Sequence, residues 1–202
     1  MIKSKGAIYP LKAKEEQILL TAQRLFYENG IAATGMEQIA EAVPVSKMTI
    51  YKYFGSKEGL LNKVIDHMIE EYNGDYKQIM EESKDTLEML DKMMNYRKTD
   101  DISLVFITEL IKDYPEIAQR ISEYNENYVV KSFEDALFRG QQMGQIRKDI
   151  SPHLLVLYLI SMKQFLFQSG RLNEFTNMRT LTEQMLSLLY HGIVIDQPDT
   201  NS

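Results

Sequence analysis

Residues Thr34–Leu61 read TGMEQIAEAVPVSKMTIYKYFGSKEGLL, and the rest of the chain is interpreted outward from them. Met36, Ile39 and Ala40 share one face at i, i+3, i+4 spacing, which predicts a short helix from about Met36 to Ala42. Val43-Pro44-Val45 stops it, because a proline ring fixes φ near about −65° and pushes the preceding residue out of the α region. Ser46 is suited to cap a second helix over Lys47–Tyr53, its hydroxyl accepting from an orphan backbone N–H two or three residues on. Two turns are too few to be stable alone, so that helix needs anchors. Ile50 and Phe54, four apart, supply them and leave Lys47, Met48, Thr49, Tyr51 and Lys52 facing outward. Ser56 then caps a third helix, with Glu58 near the positive end of its dipole.

Two short helices joined by a tight turn, with a longer helix following, is the layout of a helix-turn-helix that sets one helix into the DNA major groove. At Thr49–Leu61, TIYKYFGSKEGLL, the chain resembles the signature T-L/I-Y-x-Y/H-F-x-S/N-K-E-x-L of TetR-family transcriptional regulators. The match extends upstream through Ile39-Ala40 and Val45-Ser46, and through Phe26, Gly30 and Thr34, so that it covers roughly residues 12–72. Two positions depart from the family pattern. Pro44 replaces the usual turn glycine, and a proline cannot take positive φ, so the turn, and with it the angle between its helices, should differ. Gly35 stands where Ser or Thr usually caps the first short helix, which leaves Thr34 as its cap and as a phosphate ligand.

The resemblance implies an all-α chain of about nine helices. An arm (1–11) would precede a three-helix DNA-binding domain (12–72, helix-turn-helix 35–54), followed by a helical ligand-binding and dimerisation domain (73–195) and a tail (196–202). It also implies a homodimer through the last two helices, a double-stranded DNA operator and a small-molecule effector as partners, with no cofactor.

Composition agrees with one feature of this layout. Net charge is −6, which argues against a general nucleic-acid binder, but residues 1–63 carry nine Lys/Arg against six Asp/Glu and the remainder 14 against 23. A basic first third on an acidic body is expected where only one end meets phosphate. There is no cysteine, so disulfides and thiolate metal sites are excluded and an intracellular setting is the default. The start MIKSKGAIYPLK lacks an apolar core, and the longest apolar run, Leu154–Phe167, falls short of the ~20 residues a bilayer span needs. The expected location is the cytoplasm, with no membrane partner.

Apolar periodicity carries the helical reading to the end of the chain. A first helix is predicted over Lys12–Asn29, stopped by Asn29-Gly30, and a fourth from Ser56 past Tyr76. Further helices are predicted over Asp85–Tyr96, Asp101–Asp113, Pro115–Met143, Pro152–Gln168 and Thr180–Ile193. Pro152–Gln168 is apolar nearly all round, which requires burial on more than one side.

For DNA contact the candidates are Lys47, Thr49, Tyr51, Lys52 and Lys57, supported by Thr34, Met48 and Tyr53: ammonium and hydroxyl groups for phosphates and base edges, a thioether for a thymine methyl. For an effector cavity the resemblance points to Met68, Tyr72, Met93, Phe106, Glu109, Tyr128, Met162 and Phe165, with Tyr76, Met89, Tyr96 and Phe133 nearby; Glu109 would meet a polar or cationic group. His67, His153 and His191 are dispersed, and no phosphate loop or nucleophile elbow occurs, so neither a metal site nor an enzyme is expected. The competing reading is an all-helical carrier or enzyme whose N-terminal unit merely packs. It predicts no DNA affinity, whereas the leading reading, a repressor released from a palindromic operator by an apolar effector, predicts salt-sensitive binding.

Overall fold

The structure, a computed structural model, describes residues 13–98, 100–124, 130–175 and 177–194. These form ten α-helices: α1 (Ala13–Asn29), α2 (Met36–Ala42), α3 (Lys47–Phe54), α4 (Lys57–Glu82), α5 (Thr86–Met94), α6 (Leu104–Asp113), α7 (Pro115–Tyr124), α8 (Lys131–Gln142), α9 (Pro152–Gln168) and α10 (Met178–Ile193). A 3-10 turn, Arg171–Glu174, precedes α10. Among the described residues extended backbone pairs at one place, an antiparallel bridge between Ile146 and Val194. The chain is all-α, as its periodicity requires.

The excess over nine helices arises at the long helix predicted over Pro115–Met143, which is described as α7 and α8 on either side of 125–129. Tyr128, the arm 1–11 and the tail 196–202 lie outside the described residues.

Local chemistry explains the element boundaries. The hydroxyl of Ser46 accepts from Thr49 N–H at 3.1 Å, and that of Ser56 from Gly59 N–H at 2.9 Å, so both short-range caps form. Gly59 is required by crowding: a Cβ there would lie 2.1 Å from the Phe54 carbonyl oxygen. The start of α4 therefore rests directly on the end of α3.

The turn between α2 and α3 corrects one expectation. Pro44 takes φ +26°, inside the region a proline was expected to avoid, while Val45 N–H reaches back to Ala40 O at 3.0 Å. The glycine-type turn is kept in spite of the ring.

Apolar side chains collect into two clusters. The first joins α1 to α4, including Ile39, Ile50, Phe54 and Leu61, to Phe106 and Leu110 of α6 and Ile117 of α7. The second gathers Met89 and Leu90 of α5, Phe133 and Leu137 of α8, Val156 of α9, and Leu189 and Ile193 of α10. Ile50 is fully buried and Phe54 nearly so; at about 1.5 to 3 kcal/mol each, these two anchors are what a two-turn helix needs. The first core does not end at residue 72, because α6 and α7 close it. Helix α4, 26 residues and about 39 Å long, runs from the first cluster through Leu60–Met68 to the second, where Ile79 and Met80 pack.

Candidate nucleic-acid interface

Helix α3 presents its polar side outward because Ile50 and Phe54 fix the opposite side inward. Lys47, Tyr51 and Lys52 are exposed, Met48 is 75 % exposed, and Thr49 is half-buried. The Thr49 hydroxyl lies 2.8 Å from that of Ser46. Tyr53, a supporting candidate, is half-buried against the first core with its ring 6.2 Å from that of Phe54. Lys57 opens α4, where the positive end of the helix dipole adds to its own charge.

Lys47 is not a free ammonium. It pairs with Glu37 of α2 and stands 6.0 Å from the centre of the Tyr51 ring. The bond from Glu37 raises the Lys47 pKa, and the same bond lowers that of Glu37. Partial burial lowers the Lys57 pKa, an effect opposed by the charge of Glu109. Glu37 escaped the reading of the sequence because ten residues separate it from Lys47, a spacing that only the α2–α3 turn brings together.

Thr34 departs from its expected role. It is fully buried, and its hydroxyl donates to Leu25 O at 3.0 Å and Gly30 O at 2.8 Å, so it neither faces a phosphate nor caps α2. Gly35 occupies the cap position without a side-chain bond. Thr34 instead ties the turn after α1 back onto the last turn of that helix.

The described candidate effector residues divide between the two clusters and the surface. Met68, Tyr72 and Phe106 belong to the first core, Phe106 with no exposure at all, while Met93 packs on the second. Met162 is half-buried on α9 and Phe165 is 56 % exposed. Glu109 is engaged with backbone: its Oε2 accepts from the N–H groups of Ile31 and, at 3.0 Å, Ala32. Helical periodicity marks which side chains turn inward, but not which of two cores receives them.

A cleft of about 240 Å³ does lie between α4 and the end of α5, lined by Asp75, Gln78, Ile79, Glu82, Lys92, Tyr96 and Lys98. Its polar groups are engaged with one another. Asp75 accepts from the Tyr96 hydroxyl at 2.7 Å and pairs with Lys98 at 2.7 Å, and Tyr96 stacks on Tyr76 at 6.0 Å. Among the described residues no group of three or more His, Asp or Glu side chains could hold a metal ion, and no helix is long and apolar enough to cross a membrane.

Comparison with known proteins agrees with this geometry. Residues 18–64 match the family model described as bacterial regulatory proteins, tetR family. An uncharacterized HTH-type transcriptional regulator of Bacillus subtilis, YerO, is 33% identical over 158 residues, which is 75% of this chain but 53% of that relative. The chain thus spans about half the length of this relative. Among solved structures, a TetR-family transcriptional regulator from Agrobacterium tumefaciens superposes with a TM-score of 0.70 at 15% identity, covering 91% of this chain and 98% of that one. The transcriptional regulator FadR from Bacillus subtilis, solved in complex with stearoyl-CoA, does so with a TM-score of 0.63 at 21% identity, covering 88% and 98%. The signature and the family model fall on the same residues, and the chain belongs to the TetR family of bacterial regulatory proteins.

Proposed function

We propose that this protein is a homodimeric, ligand-responsive repressor that grips a palindromic DNA operator with α3 and releases it when a small apolar effector binds. The observation that carries the reading is the outer face of α3: Lys47, Met48, Tyr51 and Lys52 are exposed on a helix whose other side is locked by Ile50 and Phe54. A helix presenting ammonium, hydroxyl and thioether groups in that way suits phosphates and base edges in a major groove. Two copies held about 34 Å apart would reach successive turns of the duplex.

The dimer part is supported by α9. Its inner residues Leu155 and Val156 are buried, yet Leu154, Leu157, Tyr158 and Phe165 stay exposed, as does Leu188 of α10. Apolar stripes of this kind mark a surface that another chain covers. The effector part is supported by the division of the interior: an apolar molecule entering between the two clusters would meet α4, the helix common to both, and displace its DNA-side end. A coupling of about 1 to 3 kcal/mol would be sufficient. That the FadR neighbour carries stearoyl-CoA supports an apolar effector for this fold.

A gel shift on the DNA flanking its own gene tests the proposal. The expected result is a retained band that weakens steeply with salt. Absence of binding at micromolar protein would refute it.

A further inference from the structure

We propose that Glu109 of α6 is a positioning residue for the DNA reader, holding the turn after α1 in the shape that sets the direction of α2 and, through it, of α3. The proposal rests on the DNA-binding reading of α3, and its test separates the two.

The turn is built to receive an anion. Gly30 takes φ +89°, ending α1, and the next two N–H groups, those of Ile31 and Ala32, both point at one oxygen of Glu109. Consecutive backbone N–H groups beside a left-handed residue form an anion-binding nest. Here the anion comes from a helix that follows 78 positions later in the chain. The approach is close: a Cβ on Gly30 would lie 2.8 Å from Val105 Cγ1 and 2.9 Å from Glu109 Oε2, so glycine is what lets α6 lie there.

Two further contacts fasten α6 to the same end of α1. The Ser103 N–H donates to Tyr27 O at 2.9 Å, and the rings of Tyr27 and Phe106 pack at 5.0 Å. On the reader side the held turn continues into Thr34, whose hydroxyl closes on Gly30 O, and then into Gly35, where α2 starts. Few residues separate the carboxylate from the first short helix, and Ile31 and Thr34 among them are buried. Glu109 also acts on Lys57, so one carboxylate touches the turn and the field around a candidate phosphate ligand.

Loss of a purely structural cap would lower melting temperature and nothing else. A positioning residue must also alter DNA discrimination, and a conservative replacement that keeps the acceptor must restore it. Glu109→Leu removes the acceptor, Glu109→Gln keeps an oxygen without the charge, and Glu109→Asp keeps the charge but withdraws it by one methylene. Each full-length variant is measured by amide hydrogen exchange at Ile31 and Ala32, and by affinity for the DNA fragment that wild type retains against unrelated duplex DNA.

Glu109→Leu is expected to lose protection at both amides and about tenfold in specific affinity, with unrelated DNA bound as well as before or better. Glu109→Gln should recover most of the specific affinity. If the leucine variant does not fold, Glu109→Asp is expected to show the same loss. Lost amide protection with wild-type DNA discrimination would overturn the proposal, and so would a glutamine variant as defective as leucine. Wild-type protein that binds no DNA while Ile31 and Ala32 exchange slowly would instead refute the repressor reading and, with it, this role for Glu109.

Discussion

The ring of Pro44 prefers φ near about −65°, yet the turn between α2 and α3 holds it at +26°. The backbone bonds Val43 N–H to Ile39 O at 3.1 Å and Val45 N–H to Ala40 O at 3.0 Å flank it. A ring-locked residue is strained at such a φ, whereas glycine enters the positive region freely. Pro44→Gly should therefore stabilise the protein, the strain relieved outweighing the chain entropy that the proline removes, read as a rise in melting temperature. A fall would show that the proline is accommodated without strain. Thr34 gives a second expectation at this scale. Because its hydroxyl is spent on Leu25 O and Gly30 O, Thr34→Val should cost about 0.5 to 1.5 kcal/mol by removing those bonds. The slope of DNA affinity against salt should not change, since no phosphate contact is lost. The residues around these two were legible in the sequence because caps and anchors act within four positions: Ser46, Ser56, Ile50 and Phe54 all stand as expected. Thr34 was not, because its acceptors, four and nine residues back, meet it only once α1 has ended in a left-handed glycine.

Elements add charges that no single helix displays. The ion pair between Glu37 of α2 and Lys47 of α3 occupies part of the proposed interface, so DNA must compete with Glu37 for that ammonium. Glu37→Gln should free Lys47, tighten binding to any duplex and steepen the salt slope by up to about one unit. Unchanged affinity and slope would place Lys47 outside the DNA contact. Along α4, Asp75 is the counterpart on the other half of the molecule. Burial raises its pKa, but the bonds from Lys98 and from the Tyr96 hydroxyl outweigh burial and hold it below the usual carboxylate range. A depressed carboxylate contributes stability that is fully present above its unfolded value, near about 4, and is lost as pH falls through the folded value. The link between α4 and the segment after α5 should thus weaken below about pH 4, and Asp75→Asn should flatten that acid limb in thermal melts taken across pH. An acid limb identical in both proteins would assign it to other carboxylates. The helices themselves were readable from apolar spacing, with α2 and α9 bounded as predicted. The effector residues were not, because spacing reports inwardness and these side chains divide between two cores and a surface.

At the scale of the whole molecule, the question is what the exposed side of α9 is for. A single chain leaves Leu154 58 %, Tyr158 54 % and Phe165 56 % exposed on one helix, and Leu188 66 % exposed on α10. Isolated surface leucines need no explanation, but a row along one helix does. A twofold interface uses the same patch on both copies, so each residue in it is buried twice when a pair forms, and a charge placed there is likewise buried twice. The double variant Leu154→Arg, Leu188→Arg should therefore be monomeric by analytical ultracentrifugation at concentrations where wild type is dimeric. Neither residue supports a core, so the melting of the remaining monomer and its helical content should stay near those of wild type. Loss of the pair should cost far more operator affinity than any one α3 substitution, because a monomer contacts one half-site and forfeits the effective concentration that tethers the second reader beside it. Binding to unrelated duplex, which needs only one basic face, should fall much less. A variant that remains dimeric would move the interface off α9 and α10, and one that is monomeric yet holds the operator as tightly as wild type would remove the palindrome from the mechanism.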